Sequence, residues 1–210
     1  MTDGVDATPG PERLDATQAR ILGSLVEKEA TTPESYPLTA NAVQLACNQK
    51  TARDPVLELD AGEVGHALRA LEARRLVRSV HGARAQRYEH RFAESYSVTR
   101  QQQALLATLL LRGAQTASEL LARGERLAPI AGGDDARALL ERLQQRGLVV
   151  NLGRGPGQRE DRWMHTLCGP VSADDLPPPR AAAGTRESLE ARVEALEAEV
   201  ARLAARLEGN

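Results

Sequence analysis

Arg69, Arg74, Arg84, Arg87 and Arg91 crowd one short stretch of a chain in which only Lys28 and Lys50 among the basic residues are not arginine. A guanidinium offers a rigid fork of donors that matches phosphate oxygens, so the chemistry on offer is non-covalent grip on a polyanion. Arg69 is the candidate for base or backbone contact, Arg84 and Arg87 are candidates for phosphate or minor-groove contact, and Arg74 and Arg91 flank them. The bland alternative is a solvated helix face, because Glu63 stands at the helix start where a phosphate would approach. A second polar set, Asn41, Asn48, Gln49, Lys50, Arg53 and Asp54, has two readings of its own. It can form an interface, or it can pin a long connector to the first domain through hydrogen bonds.

Covalent and metal chemistry find little support. His66, His81, His90 and His165 lack metal-ligand spacing, no Ser or Cys lies in a nucleophile motif, and all four histidines are expected at the surface. Cys47 and Cys168 are too far apart to pair by spacing and are expected to be structural thiols. The run GRGPGQR, Gly153 to Arg159, has no Lys-Ser/Thr after it and opens no helix, so it is expected at the tip of a hairpin rather than around a phosphate. The expectation is a binding protein with no cofactor, no metal and no enzymatic activity.

The whole chain frames this. With 210 residues, 41% hydrophobic and 27% charged, it has the composition of a soluble protein with room for two small domains. Aromatic residues are 2%, which leaves few rings for base stacking and disfavours single-stranded nucleic acid. The longest apolar run, Ala104 to Leu111, falls far short of the roughly 20 residues that span a bilayer. The acidic, Gly- and Pro-bearing start MTDGVDATPGPERLD is expected to be a disordered lead rather than a signal peptide, and the protein to be cytoplasmic. The net charge of -2 is unevenly spread: residues 60–91 carry seven Lys/Arg against four Asp/Glu, and residues 99–167 ten against seven, inside acidic flanks.

Those two basic stretches belong to a duplication. ALRALEARRLVRSV, Ala67 to Val80, is matched 72 positions later by LLERLQQRGLVVNL, Leu139 to Leu152: an apolar helix spacing, then a Leu-Val strand start. ILGSLV (Ile21 to Val26) likewise matches LLATLL (Leu105 to Leu110), and LTANAVQL (Leu38 to Leu45) resembles QTASELLA (Gln115 to Ala122). The offset shrinks from 84 to 77 to 72 because the first copy has longer connectors. Helix starts are read from N-cap and N3 pairs at Asp15/Gln18, Asp60/Glu63, Thr99/Gln102 and Thr116/Glu119, with Thr39 and Asp134 as further caps. Three capped helices before a hairpin make a winged helix. The expected fold is therefore mainly α with small antiparallel β-hairpins: a disordered lead to residue 14, winged-helix domains over 15–98 and 99–169, a Pro-rich linker over 170–185 and a coiled-coil helix over 186–208. In that helix Val193, Val200 and Leu207 take position a and Leu189, Leu196 and Leu203 position d, a pattern that favours a parallel homodimer. Docking of the same apolar stripe on its own chain is the alternative.

The most distinctive text is YPLTANAVQLACNQKTARDPVLEL, Tyr36 to Leu59. It resembles the YceH-like family of bacterial proteins, with Leu38, Thr39, Asn41, Ala42, Ala46, Cys47, Asn48, Gln49, Lys50, Thr51, Arg53, Asp54, Pro55 and Val56 on its hallmark. The resemblance runs from about Gln18 to Cys168 and implies a tandem winged-helix protein, with no activity or catalytic residue to transfer. The functional expectation is a dimeric double-stranded DNA-binding protein acting as a transcriptional regulator. The alternative is a tandem winged-helix scaffold for a protein partner that does not touch DNA.

Overall fold

A computed structural model describes residues 13–81, 85–155 and 158–172. Arg84, the N-terminal lead through residue 12, and everything from residue 173 lie outside the described residues, and with them the heptad residues Leu189, Val193, Leu196, Val200, Leu203 and Leu207.

The first copy runs α1 (Ala16–Thr31), a 3-10 turn (Pro33–Ser35), β1 (Leu38–Thr39), α2 (Ala40–Cys47), α3 (Ala61–Ala73), β2 (Val77–His81) and β3 (Gln86–His90). A short helix, α4 (Phe92–Tyr96), leads to the second: α5 (Arg100–Arg112), β4 (Gln115–Thr116), α6 (Ala117–Gly124), α7 (Gly133–Gln145), β5 (Val149–Asn151) and β6 (Arg162–His165). Each copy has one antiparallel three-stranded sheet, ordered β1-β3-β2 and β4-β6-β5. The molecule is mainly α with small antiparallel sheets, as the patterning predicts. The duplication extends to register, since Thr39 faces Arg87 in one sheet and Thr116 faces Arg162 in the other.

Local signals set the helix starts. Asp15/Gln18, Asp60/Glu63, Thr99/Gln102 and Thr116/Glu119 all form reciprocal capping boxes, and Thr39 accepts from the Ala42 amide. Asp134 does not cap α7. That helix begins one residue earlier with Gly132 at the N-cap, and it is Asp135 whose carboxylate reaches back to the Ala131 amide. Both acids stay in the first turn, where the helix dipole favours them.

Aliphatic side chains from both copies form one continuous core: Ile21, Leu22 and Leu25 of α1, Leu68 and Leu71 of α3, Leu105, Leu106 and Leu109 of α5, and Leu140 and Leu143 of α7. Its centre is the α1–α5 crossing. At Gly23 a β-carbon would lie 2.9 Å from Leu111 Cγ and 3.1 Å from Leu110 Cβ, so glycine permits the close approach of the two helices. Every residue of α1 from Gln18 to Glu27 is buried. This departs from a one-sided amphipathic helix: α5 covers one side, while the polar side is covered by the α2–α3 connector.

Two of the four histidines also depart from a surface role. His165 is buried and its Nδ1 has no partner, and the resulting desolvation depresses its pKa to about 4. His90 Nε2 lies 3.0 Å from Glu29 Oε2, and its Nδ1 accepts from the Phe92 amide. His66 and His81 are exposed as expected. Cys47 is buried and Cys168 exposed, and both are free.

Candidate functional site

The polar segment after α2 folds inward. The Arg53 side chain is fully buried and its Nη2 lies 2.6 Å from Glu27 Oε2 on α1, with Nη1 at 3.3 Å from Glu27 Oε1. The remaining donors go to Ala46 O, Ala52 O and Gln49 Oε1. Burial pushes the Glu27 carboxyl up, but the hydrogen bond and charge of Arg53, with Lys28 and Arg126 adding theirs, bring it below the usual carboxylate range. Beside this pair, buried Arg20 donates to Cys47 O at 3.2 Å and Pro55 O at 2.6 Å.

Asn48 works like a short piece of ladder: its Nδ2 donates to Leu59 O at 2.8 Å and its Oδ1 accepts from Leu59 N at 2.9 Å. Gln44 donates to the same carbonyl, and the Asp54 amide donates to Leu111 O on α5. Asn48, Gln49 and Arg53 therefore hold the connector through hydrogen bonds to the chain's own groups. Lys50 and Asn41 stay exposed, with Lys50 in an exposed ion pair to Glu58 at 3.4 Å.

The arginines divide in two. Arg74, at the C-cap of α3, donates to Gln18 Oε1 at 2.8 Å and to Arg13 O at 3.3 Å. Its counterpart 72 residues on, Arg146 at the C-cap of α7, donates to Ser97 O and Tyr96 O. Each arginine thus clasps the carbonyl two residues before the N-cap of its copy's first helix. Arg87 Nη1 donates to Pro37 O at 2.7 Å, and Arg162, its register equivalent, donates to Ala114 O, the equivalent carbonyl. Arg91 is ion-paired to Glu94, and Arg78 to Glu89 at 2.6 Å. So Arg74, Arg87 and Arg91, singled out for a polyanion, have their guanidiniums on intrachain oxygens.

Arg69 differs. It projects from the exposed face of α3 next to His66 and Ala73, its guanidinium lying back over Gly65. It has no hydrogen-bond or ion-pair partner among the described residues.

The second copy presents another face. Across a cleft of about 340 Å³, Arg137, Glu141 and Gln144 of α7 look toward Arg154, Arg159 and Trp163 of the β5–β6 hairpin. At the offset of 72, Glu141 stands where α3 carries Arg69. Glu160 of the hairpin accepts from Ser118 Oγ at 2.7 Å and Ser118 N at 3.3 Å at the start of α6. Sequence periodicity missed this cleft; the pairing of a Gly/Arg-rich hairpin with the i, i+4, i+7 series Arg137, Glu141 and Gln144 was the available signal. Among the described residues no group of three or more His, Cys, Asp and Glu is placed to hold a metal, and no helix is long and apolar enough to cross a membrane.

Residues 14–158, which hold both the Arg53 lock and the Arg69 face, match the family model described as "Protein of unknown function, DUF480". This chain belongs to the DUF480 family. It is 56% identical over 213 residues to a UPF0502 protein of Stenotrophomonas maltophilia (strain K279a), covering 99% of this chain and 98% of that protein. It is 55% identical over 203 residues to a UPF0502 protein of Xanthomonas axonopodis pv. citri (strain 306), covering 93% and 91%. The family match includes the connector and the first copy entire, and ends within the second hairpin.

Proposed function

We propose that this DUF480 protein, of YceH-like type, is a cytoplasmic, dimeric double-stranded DNA-binding protein and transcriptional regulator whose first copy meets the duplex. The order helix, strand, helix, helix, hairpin with sheet order β1-β3-β2 supports a winged-helix reading, in which the third helix enters a major groove. The observation that carries the reading is Arg69: exposed at mid-helix on α3, without a hydrogen-bond or ion-pair partner among the described residues, and flanked by exposed His66. Arg84 of the wing joins it as a candidate contact, and the terminal heptads supply the pairing. Arg74, Arg87 and Arg91 serve the frame.

Fluorescence anisotropy of labelled genomic duplexes at low and moderate salt tests this. Affinity should fall steeply as salt rises, and Arg69→Ala should weaken binding by roughly 5- to 100-fold. No binding at low salt, or an Arg69→Ala protein that binds like the parent, ends the proposal.

A second reading is a docking scaffold. It is favoured by Leu45 and Val56, the large hydrophobics left 65% and 45% exposed on α2 and its connector among the described residues, and by the internal use of most described first-hairpin arginines. A partner captured from nuclease-treated lysate and lost with Leu45→Asp supports this reading. Loss of every partner on nuclease digestion refutes it.

A further inference from the structure

We infer that the cleft of the second copy is a binding site for a small amino dicarboxylate, a molecule with two acidic groups and one amine. The cleft of about 340 Å³ lies within the size range of metabolite pockets. Its charges sort into those already matched and those left over. Arg154 Nε is 3.3 Å from Asp161 Oδ1, and Asn151 donates to the other Asp161 oxygen at 3.1 Å, so that pair is closed. Glu160 is satisfied by the Ser118 amide and hydroxyl. Arg137 and Glu141 on α7 and Arg159 on the hairpin have no hydrogen-bond or ion-pair partner among the described residues, and neither does the Gln144 amide. All four side chains are exposed to solvent, and the two guanidiniums and one carboxylate that line one cleft complement a ligand of the opposite pattern, two carboxylates and one ammonium. Trp163, only 5% exposed, gives the intervening methylenes an apolar wall.

A duplex is a poor occupant of this face. Glu141, Glu160 and Asp161 line it, and Glu160 already fills the amide position at the start of α6 where a backbone phosphate would sit. The site asks nothing of the DNA proposal, and a failure here leaves the anisotropy result at the first copy untouched.

Trp163 is the only tryptophan of the chain and lines the cleft, so its fluorescence reports occupancy directly. The full chain is titrated with L-glutamate, L-aspartate and the amine-free glutarate, with calorimetry in parallel in case the indole is silent. At least one amino acid should saturate, and glutarate should bind about tenfold more weakly than glutamate for want of the ammonium. Arg137→Ala should weaken the dicarboxylates at least about tenfold, and Glu141→Gln should erase the preference for glutamate over glutarate. Circular dichroism confirms that both variants fold. Absence of saturable fluorescence or heat up to about 10 mM, or equal binding by Arg137→Ala, overturns the site; binding without the amine preference overturns the ligand class.

Discussion

Replacing Arg53 with methionine keeps most of the buried stem and deletes the guanidinium that Glu27, Ala46, Ala52 and Gln49 share. Glu27, with its side chain 5% exposed, then keeps only Arg126 at 3.1 Å and Lys28 at 3.5 Å, which reach it from more exposed positions. Breaking a buried pair from one side costs about 3–5 kcal/mol, and the surviving cations place this case near the lower end. The carbonyl of Ala46 also loses both guanidinium donors, adding about 1 kcal/mol. Arg53→Met should therefore lose about 4 kcal/mol in urea unfolding. Glu27→Gln should lose only about 1–2 kcal/mol, because Arg53 keeps its carbonyl acceptors. In the double variant the losses should fall short of additivity by about 1–3 kcal/mol. The pH dependence carries an independent mark. A carboxyl whose folded pKa is depressed stabilises fully above its unfolded pKa and loses that contribution as pH falls through the folded value. The gap between parent and Glu27→Gln should accordingly be widest at neutral pH and close in acid. An Arg53→Met protein within about 1 kcal/mol of the parent, or strictly additive losses, would refute the lock.

Gly23→Ala should cost about 1–3 kcal/mol, since its methyl meets Leu111 Cγ at 2.9 Å at a branch point rather than a flexible end; an unchanged melting temperature contradicts the close α1–α5 approach. His165, depressed from 6.5 to about 4, makes the folded state lose roughly 3 kcal/mol as pH drops from above 6.5 to below 4, because the unfolded chain takes the proton first. His165→Leu should flatten that limb of the unfolding curve, and an unaltered slope counts against a neutral buried ring. Arg74→Ala and Arg146→Ala should each cost about 1 kcal/mol, a partly exposed clasp of two hydrogen bonds; equal losses in matched urea curves are expected, and a loss in only one copy breaks the equivalence.

The fold was legible where its causes are local. Capping boxes depend on residues three apart, and all four are legible in pairs such as Thr99 and Gln102. The duplication and the hairpins followed from short apolar spacings. What escaped was decided at a distance. Arg20 and Glu27 flank the apolar run Ile21 to Val26 of α1, and their partners Pro55 and Arg53 lie 35 and 26 residues away, which no helical periodicity encodes. The same is true of Arg87, whose acceptor Pro37 is 50 residues upstream. Asp134 carries a cap signal, but α7 is entered two residues earlier at Gly132, an N-cap with no side-chain hydrogen bond, and the adjacent Asp135 is the acid that reaches back to the Ala131 amide.

The duplication itself separates framework from recognition. A residue that closes the joint between third helix, hairpin and first helix is needed once in each copy, since each copy must satisfy its own carbonyls. Arg74 with Arg146, and Arg87 with Arg162, meet that condition, donating to equivalent backbone oxygens in both halves. A residue that meets a partner is under no such requirement, and two faces on one core can take different ligands. Arg69 and Glu141 occupy the same helical position with opposite charge. The amides at the start of α6 are covered by Glu160, whereas Asn41, at the matching position of α2, is exposed. Sign reversal at one matched position, within a frame whose arginines are duplicated, is what the two proposed binding faces require: stability kept in duplicate and recognition kept in single copy. On that logic a variant swapping the two charges, Arg69→Glu with Glu141→Arg, should retain the parent's unfolding midpoint to within about 1 kcal/mol while losing polyanion affinity at the first copy and the amine preference at the second; a swap that unfolds the protein would return both residues to the frame.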